Sequence, residues 1–294
     1  MYATFHLLIM NESKYIDGAC ISVSTFKEYG NKNIKHICLV DDSISKDGIK
    51  KLKKYFDQVE KIDLIQINSN FKINSNKKKE RYGKWIDVAA TKWSILYFEQ
   101  FDKVLLCDVD TLAIADYTKI FDIKTPAWCF FHKNALDIKR LSKIISTKKS
   151  GSYITDKFIK DYTGFTQDEI CSKQHKMKFI PVNGSMVLLK PSKKIFKEMF
   201  EYAKSKKFES VSLKSFPDEN LLFDFYYCHL KKRVYCIGPE YLVTEWRLKE
   251  PAFSKIDHPI IFNYDSTEKP WIKNNKNLYE EEKIWKTLRE KYNV

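Results

Sequence analysis

The chain has 294 residues, 44% hydrophobic and 31% charged, with 8 Gly and 8 Pro. That composition belongs to a globular protein and excludes collagen-like, low-complexity and disordered classes. The net charge of +14 raises nucleic acid as a partner, yet the 52 basic residues are strewn along the chain without a basic amphipathic helix or zinc-finger spacing. We therefore expect no specific nucleic-acid partner, and an anionic, phosphate-bearing small molecule instead.

No segment approaches the roughly 18 uncharged apolar residues of a membrane span. Met1–Met10 has no basic leader and reads as a buried first strand. The seven cysteines are odd in number and show no CxxC spacing, which predicts reduced, buried thiols and a cytoplasmic location. Glycosylation sequons begin at Asn11 and Asn183, both in segments expected to line the cleft, where a glycan would block it.

Periodicity predicts a strand over 3–10 and a helix over 15–28 with Ile16, Ala19, Cys20, Val23 and Phe26 on one stripe. A strand follows at Ile34–Val40, then a helix over 45–56 that Ser45 could cap, and a strand at Val59–Ile67. Residues 84–99 show helical spacing of Ile86, Ala89, Trp93 and Leu96, and Lys103–Cys107 is a short apolar strand. Strand–helix alternation with short links predicts an α/β protein: a Rossmann-like, mostly parallel central sheet with helices on both faces. Such sheets bind ligands beyond the C-terminal ends of their strands.

The second half predicts strands at Pro126–Phe131 and Lys178–Leu189, helices at Lys193–Lys204 and Pro217–Leu230, and short strands at Arg233–Ile237 and Pro259–Asn263. Residues 132–177 form a polar, variable excursion with partial helix, and 277–290 form a C-terminal helix. With no linker and no repeat, residues 1–275 read as a single domain with a ligand-binding half (1–125) and a second half (126–275). The segment 276–294 packs on it as a helix.

The sharpest local signal is Asp108-Val109-Asp110, entered directly from Val104-Leu105-Leu106-Cys107. Two carboxylates beside a core are costly unless a cation or hydrogen bonds compensate them. In extended chain an i, i+2 pair leaves one face, so both can grip a hard cation whose open positions take phosphate oxygens. The plain alternative is a strand-end turn with Asp110 capping backbone. The phosphatase pattern, with Thr or Val two residues past the second Asp, does not fit Leu112. GxxxxGK[ST] and GxGxxG are both absent.

Four segments together give the chain a resemblance to a known family: Asn11–Ala19, Thr91–Trp93 with Phe101–Leu112, Asn183–Ser192, and Lys269-Pro270-Trp271. In that order they resemble the glycogenin-like retaining glycosyltransferases, the family 8 group with a GT-A fold, from about residue 3 to 271 apart from the excursion. The resemblance implies a UDP-sugar donor, a transferred hexose, Mn²⁺ or Mg²⁺, and a carbohydrate, glycoprotein or glycolipid acceptor. It implies that Asp108, Asp110 and Asn263 hold the metal, Asn263 standing where the family has His. It further implies that Tyr15 stacks on the base, that Asn11 lines the first loop, and that Arg81, Lys92 and Lys269 serve the donor diphosphate. Asp108 could share the ribose through water, and Asn183 keeps the polar position of the family's Asn-Ser-Gly strand.

Asp218 is the best carboxylate to steady charge at the anomeric carbon, in a stretch Asp218-Glu219-Asn220 where the family often reads Asp-Gln-Gly. Simpler readings stand beside each role: Asp218 as a helix N-cap, Tyr15 as core, Lys269 as surface charge. Pro270-Trp271 reads as a loop anchor, Tyr226 and Tyr227 as core, and the six His as structural or exposed. A non-catalytic nucleotide-sugar or glycan-binding descendant and a metal-dependent nucleotidyltransferase remain as alternatives. A homodimer is one open option for assembly.

Overall fold

The computed structural model describes residues 1–10, 15–67, 85–130, 148–172, 180–205, 216–244, 258–264, 269–271 and 280–294, with no statement on the side chains of 280–282. In chain order the elements are β1 (Tyr2–Leu8), α1 (Ile16–Glu28), β2 (Ile34–Val40), α2 (Lys46–Leu52), β3 (Gln58–Lys61), a 3₁₀ helix (Ala89–Tyr97), β4 (Lys103–Cys107), β5 (Thr111–Ala113) and β6 (Ala127–Cys129). Then come α3 (Asp156–Thr163), α4 (Gln167–Cys171), β7 (Asn183–Leu189), α5 (Lys193–Lys204), α6 (Pro217–Phe223), a π-helical turn (Asp224–His229), β8 (Tyr235–Ile237), β9 (Val243–Thr244), β10 (Ile261–Asn263) and α7 (Glu280–Tyr292).

The main sheet has seven strands in the order β3-β2-β1-β4-β7-β6-β8, and a second sheet pairs β5-β10-β9. Strands β3, β2, β1 and β4 are parallel, whereas β7 runs antiparallel to both β4 and β6. The expected α/β architecture with a mostly parallel sheet is what forms. Within β4, Val104 and Leu106 enter one core, while Leu105 and Cys107 enter the other. That alternation explains why the strand is apolar throughout: both faces are covered. Helices α1 and α2 pack beside Leu8, Cys38 and Val40 on one side, and Trp93, Phe196 and Leu221 pack on the other.

Several expected elements change form. The helix expected over 84–99 is a 3₁₀ helix at its centre, and the strand expected to reach Ile67 ends at Lys61. The helix expected to run to Leu230 becomes π-helical at Asp224. Ser45 does cap α2, its Oγ accepting from Gly48 N at 3.0 Å.

The expectation of seven reduced thiols is corrected: Cys171 and Cys228 form a disulfide that ties α4 to the π-helical turn, with Cα atoms 5.1 Å apart. The other five cysteines are free and buried. His6 and His36 are core residues; burial pushes their pKa values down to about 3 and about 4, so both are neutral, and they bond to Ser22 and Thr4. Tyr226 and Tyr227 are buried, as read. Trp285 of α7 is buried beside Trp271, with ring centroids 5.7 Å apart. Among the described residues no helix is long and apolar enough to cross a membrane.

Candidate active site

Asp108 leaves β4 at its C-terminal end. Because β7 is antiparallel to β4, its first residues return to that same end, and Asp108 N donates to Ser185 O at 3.1 Å. Thr111 closes the turn, its N and Oγ1 donating to Asp108 O at 3.1 and 2.6 Å. On the far side Asn263 pairs with Thr111, and Tyr264 N donates to Asp110 O at 2.9 Å. The carboxylate turn is therefore held between two sheets.

Each carboxylate meets a lysine from a distant part of the chain. Lys92 Nζ lies 3.0 Å from Asp108 Oδ1 and 3.5 Å from Asp218 Oδ2, with Gly184 O also at 3.5 Å. Burial works against the Lys92 charge, but Asp108 and then Asp218 outweigh it and hold the ammonium above the usual lysine range. Lys269 Nζ sits 2.5 Å from Asp110 Oδ2 and also reaches Tyr264 O, while Asn263 Nδ2 donates to Asp110 Oδ1 at 2.9 Å.

Helix α6 supplies a second acidic group. Phe216 holds the N-cap position without a side-chain cap, and Pro217 sits at the start, where its missing N–H costs nothing. Asp218 thus lies in the first turn and is not the N-cap, which corrects that simpler reading. Asp218 is 1% exposed, its Oδ1 has no hydrogen-bond partner among the described residues, and burial raises its pKa against the pull of Lys92. Trp93 Nε1 fixes the helix start by donating to Asp218 O at 3.2 Å.

Glu219, unmarked by the sequence reading, is buried beside Asp218, and its Oε1 accepts from Gly184 N at 2.8 Å. A Cβ at position 184 would come 3.1 Å from Glu219 Cγ and 3.3 Å from Asp218 Oδ2, so any larger residue would press these two side chains back by a few tenths of an ångström. Asn183 Oδ1 accepts from Ser185 N at 2.9 Å.

At the other end of the site, Tyr15 packs edge-on to Trp271 at 5.8 Å, and Trp271 lies against Gly18, where a Cβ would be 2.8 Å from the indole. Trp271 therefore anchors the short segment that carries Lys269. Trp85, also missed by the sequence reading, stands 5.5 Å from Lys92 Nζ and meets Phe216 edge-on. Asn11 and Arg81 lie outside the described residues.

Among the described residues no group of three or more His, Cys, Asp or Glu is placed to hold a metal. Asp110 and the Asn263 amide are in contact, while Asp108, two residues away, meets Lys92; carboxylate and amide oxygens are hard donors of the kind Mn²⁺ and Mg²⁺ accept. Asn263 turns its nitrogen toward Asp110; a half-turn of the amide presents its oxygen instead. The chemistry of these oxygens suits such a cation.

No known protein-family model matches the chain. It is 23% identical over 278 residues to an uncharacterised protein of Acanthamoeba polyphaga mimivirus, spanning 94% of this chain and 85% of that protein. Among solved structures it is similar to an active-site variant of LgtC, with a TM-score of 0.59 at 14% identity over 99% of this chain and 96% of that one. The galactosyltransferase LgtC in complex with donor and acceptor sugar analogues superposes with a TM-score of 0.56 at 13% identity and the same coverage. The glycosyltransferase GlyE of Streptococcus pneumoniae gives 0.50 at 15% identity, over 97% of this chain and 59% of that one. At these identities the likeness is one of fold, and the fold of this chain is GT-A-like.

Proposed function

We propose that the chain is a metal-dependent, retaining glycosyltransferase of the glycogenin-like kind. It would move glucose, galactose or N-acetylglucosamine from a UDP-sugar to a carbohydrate, glycoprotein or glycolipid acceptor. The observation that carries the reading is the convergence of Asp108, Asp110, Lys92, Asp218, Asn263 and Lys269 at one end of β4 in a GT-A-like fold. Asp108, Asp110 and Asn263 would hold Mn²⁺ or Mg²⁺. When bound, that cation supplies positive charge to the departing diphosphate.

Lys269 moves its point charge from Asp110 to the diphosphate, and Tyr15 offers an aromatic face to the uracil, with Asn11 and Arg81 as further donor contacts. Lys92 keeps Asp108 and Asp218 at a fixed separation. Asp218, facing the sugar, steadies charge at the anomeric carbon, and Asn183 orders the β7 backbone beside it. Preorganised charges of this kind act strongly because the surroundings are dry. The proposed location is the cytoplasm, supported by five free buried thiols. The Cys171–Cys228 disulfide argues the other way. Mass spectrometry of alkylated native protein decides between them: a disulfide found there removes the cytoplasmic proposal.

A donor screen tests the activity. UDP-glucose, UDP-galactose, UDP-N-acetylglucosamine and GDP sugars are each offered with and without Mn²⁺, and nucleoside diphosphate release is read. Metal-stimulated release of UDP is expected. Pyrophosphate release would indicate a nucleotidyltransferase. One observation favours a non-catalytic nucleotide-sugar-binding protein: both Asp110 oxygens are engaged internally, by Asn263 and Lys269. UDP binding without release from any donor would make that reading the better one.

A further inference from the structure

The chain leaves β1 through a strained residue. Met10 has a φ of 64°, in the left-handed region that a residue with a Cβ enters at a steric cost. The other described non-glycine residues with a positive φ, Lys231 and Asn293, follow the π-helical turn and α7. The end of a helical segment is an ordinary place for that conformation, whereas Met10 follows a central strand. Glycine is the usual residue where a turn needs a positive φ, yet the residue here is Met.

The compensation comes from the neighbouring strand. Leu8 pairs with Val40 at the ends of β1 and β2, so the two chains leave the sheet side by side. Asp41 is 5% exposed; its Oδ2 accepts from Met10 N at 3.1 Å and its Oδ1 from Ser43 Oγ at 2.5 Å. The next residue, Asp42, is instead exposed and pairs with Lys61 at 2.7 Å. Of two adjacent acids, one is turned onto the backbone that follows β1. Asp108 leaves β4 at this same edge, since β1 and β4 are parallel. The connection that starts at Met10 carries Asn11 in sequence and ends at Tyr15, which packs on Trp271. Asp41 fixes its first described end and Trp271 its last.

We propose that Asp41 is a positioning residue for the nucleoside end of the donor: by taking the Met10 N–H it holds the turn from which the connection between β1 and α1 presents Asn11 and Tyr15. The identity of that ligand rests on the transferase reading. A glycine would allow this turn and others alike; Met10 with a carboxylate on its N–H is confined to one. Without that acceptor a left-handed Met is disfavoured roughly tenfold against the ordinary regions. A site formed only in the minor conformation binds more weakly by the same factor.

The test compares wild type, Asp41→Ala, Asp41→Asn and Asp42→Ala by calorimetry with UDP and Mn²⁺ and by cleavage of UDP-sugars. Asp41→Ala should weaken UDP binding and raise the donor KM about tenfold, with kcat little changed. Asp41→Asn should stay near wild type, because its amide oxygen accepts the Met10 N–H and its NH₂ donates to the Ser43 hydroxyl. Asp42→Ala removes the same charge one residue away and should change neither quantity. Asp41→Asn as weak as Asp41→Ala overturns the proposal, since charge and not the turn would then matter. A loss confined to kcat overturns it as well.

Met10→Gly separates positioning from a purely structural role. Added to Asp41→Ala, it removes the steric cost and should recover the melting temperature while KM stays raised, because glycine leaves the turn unfixed. Recovery of both overturns the positioning role. Should Asp41→Ala fail to fold, the double variant carries the same comparison with wild type. UDP binding that weakens in Asp41→Ala, with no UDP released from any donor, removes the transferase reading and leaves the Asp41 role in place. Equal UDP affinity in wild type and Asp41→Ala, with donor cleavage intact, overturns the Asp41 role and leaves the transferase reading.

Discussion

Asp108 and Asp110 leave the chain two residues apart, yet one faces the interior wall of the site and the other faces the small sheet. On the interior side, Lys92 is carried by a 3₁₀ helix packed into the core and shared between Asp108 and the fully buried Asp218. On the other side, Asp110 shares Lys269 with the Tyr264 carbonyl. Both lysines are enclosed, Lys92 at 9% and Lys269 at 10% exposure, and Asp108 (29%) is more open than Asp110 (15%), so the two pairs differ in their partners and not in depth. Under the proposed function the Lys92 pair, shared with Asp218, holds, while the Lys269 pair exchanges its carboxylate for the diphosphate.

The largest way to break this comparison is to remove each ammonium in turn. Lys92→Met leaves Asp218 buried beside Asp108 with no counter-charge, and breaking such a buried pair costs about 3–5 kcal/mol of stability. Lys269→Met leaves Asp110 with its Asn263 partner and no second buried acid beside it, and a lost charged hydrogen bond costs about 1–3 kcal/mol. Urea unfolding measures both. Equal losses would show that the outer pair is as structural as the inner one.

Much of the interior side was legible in sequence, because an apolar run ending in two acids has few physical explanations. The awkward Lys92 on an apolar helix was equally readable, since it puts a polar group where burial must be compensated, whereas the strand expected from Lys178 begins at Asn183. Glu219 was not legible: two acids after Pro217 look like ordinary first-turn residues favouring the helix dipole, and nothing local shows that Gly184 lies against them. The second sheet also escaped notice, because Thr111–Ala113 and Val243–Thr244 are too short for a period to register. Helical spacing alone could not separate an α-helix from the 3₁₀ helix at Ala89–Tyr97. The partners Cys171 and Cys228 stand 57 residues apart, a separation that carries no pairing signal.

Asp110→Asn sharpens the comparison from the other direction. Under the proposed function it removes charge where the diphosphate would depart, while leaving a group of the same shape. Turnover at saturating UDP-sugar should fall a hundred- to a thousandfold, about 3–4 kcal/mol, with a stability loss no larger than that of Lys269→Met, since both changes break the same ion pair. A large loss of stability instead would assign Asp110 to the fold and not to the chemistry.

Gly18→Ala probes the anchor behind Lys269. The new methyl meets the Trp271 indole at 2.8 Å, and that ring is confined by Tyr15, Tyr264 and Trp285. Overpacking of this kind costs about 1–3 kcal/mol, and the displaced segment should raise the KM for donor more than it lowers kcat. Gly184→Ala, by contrast, presses β7 onto Glu219 and Asp218 and should lower kcat. A matching pattern in the two variants would erase the distinction between an outer, donor-binding side and an inner, sugar-facing side.

The smallest effect belongs to Asn263, which faces Asp110 with its amide nitrogen. If the amide turns its oxygen to a shared cation, Asn263→Ala should weaken Mn²⁺ binding measured by calorimetry in the presence of UDP. Asn263→His should keep or raise it, since imidazole is a good ligand for first-row transition metals. Without UDP both wild type and Asn263→His should bind Mn²⁺ less well, because Lys269 then stays on Asp110 and competes for the carboxylate. Lys269→Met should remove that dependence on nucleotide, at least in part, while Lys92→Met, if it folds, should not. Wild type, Asn263→Ala and Asp110→Asn binding Mn²⁺ with equal affinity would separate Asn263 and Asp110 from any cation. The ion pair with Lys269 would then be the working state of the outer carboxylate, not one that gives way to metal.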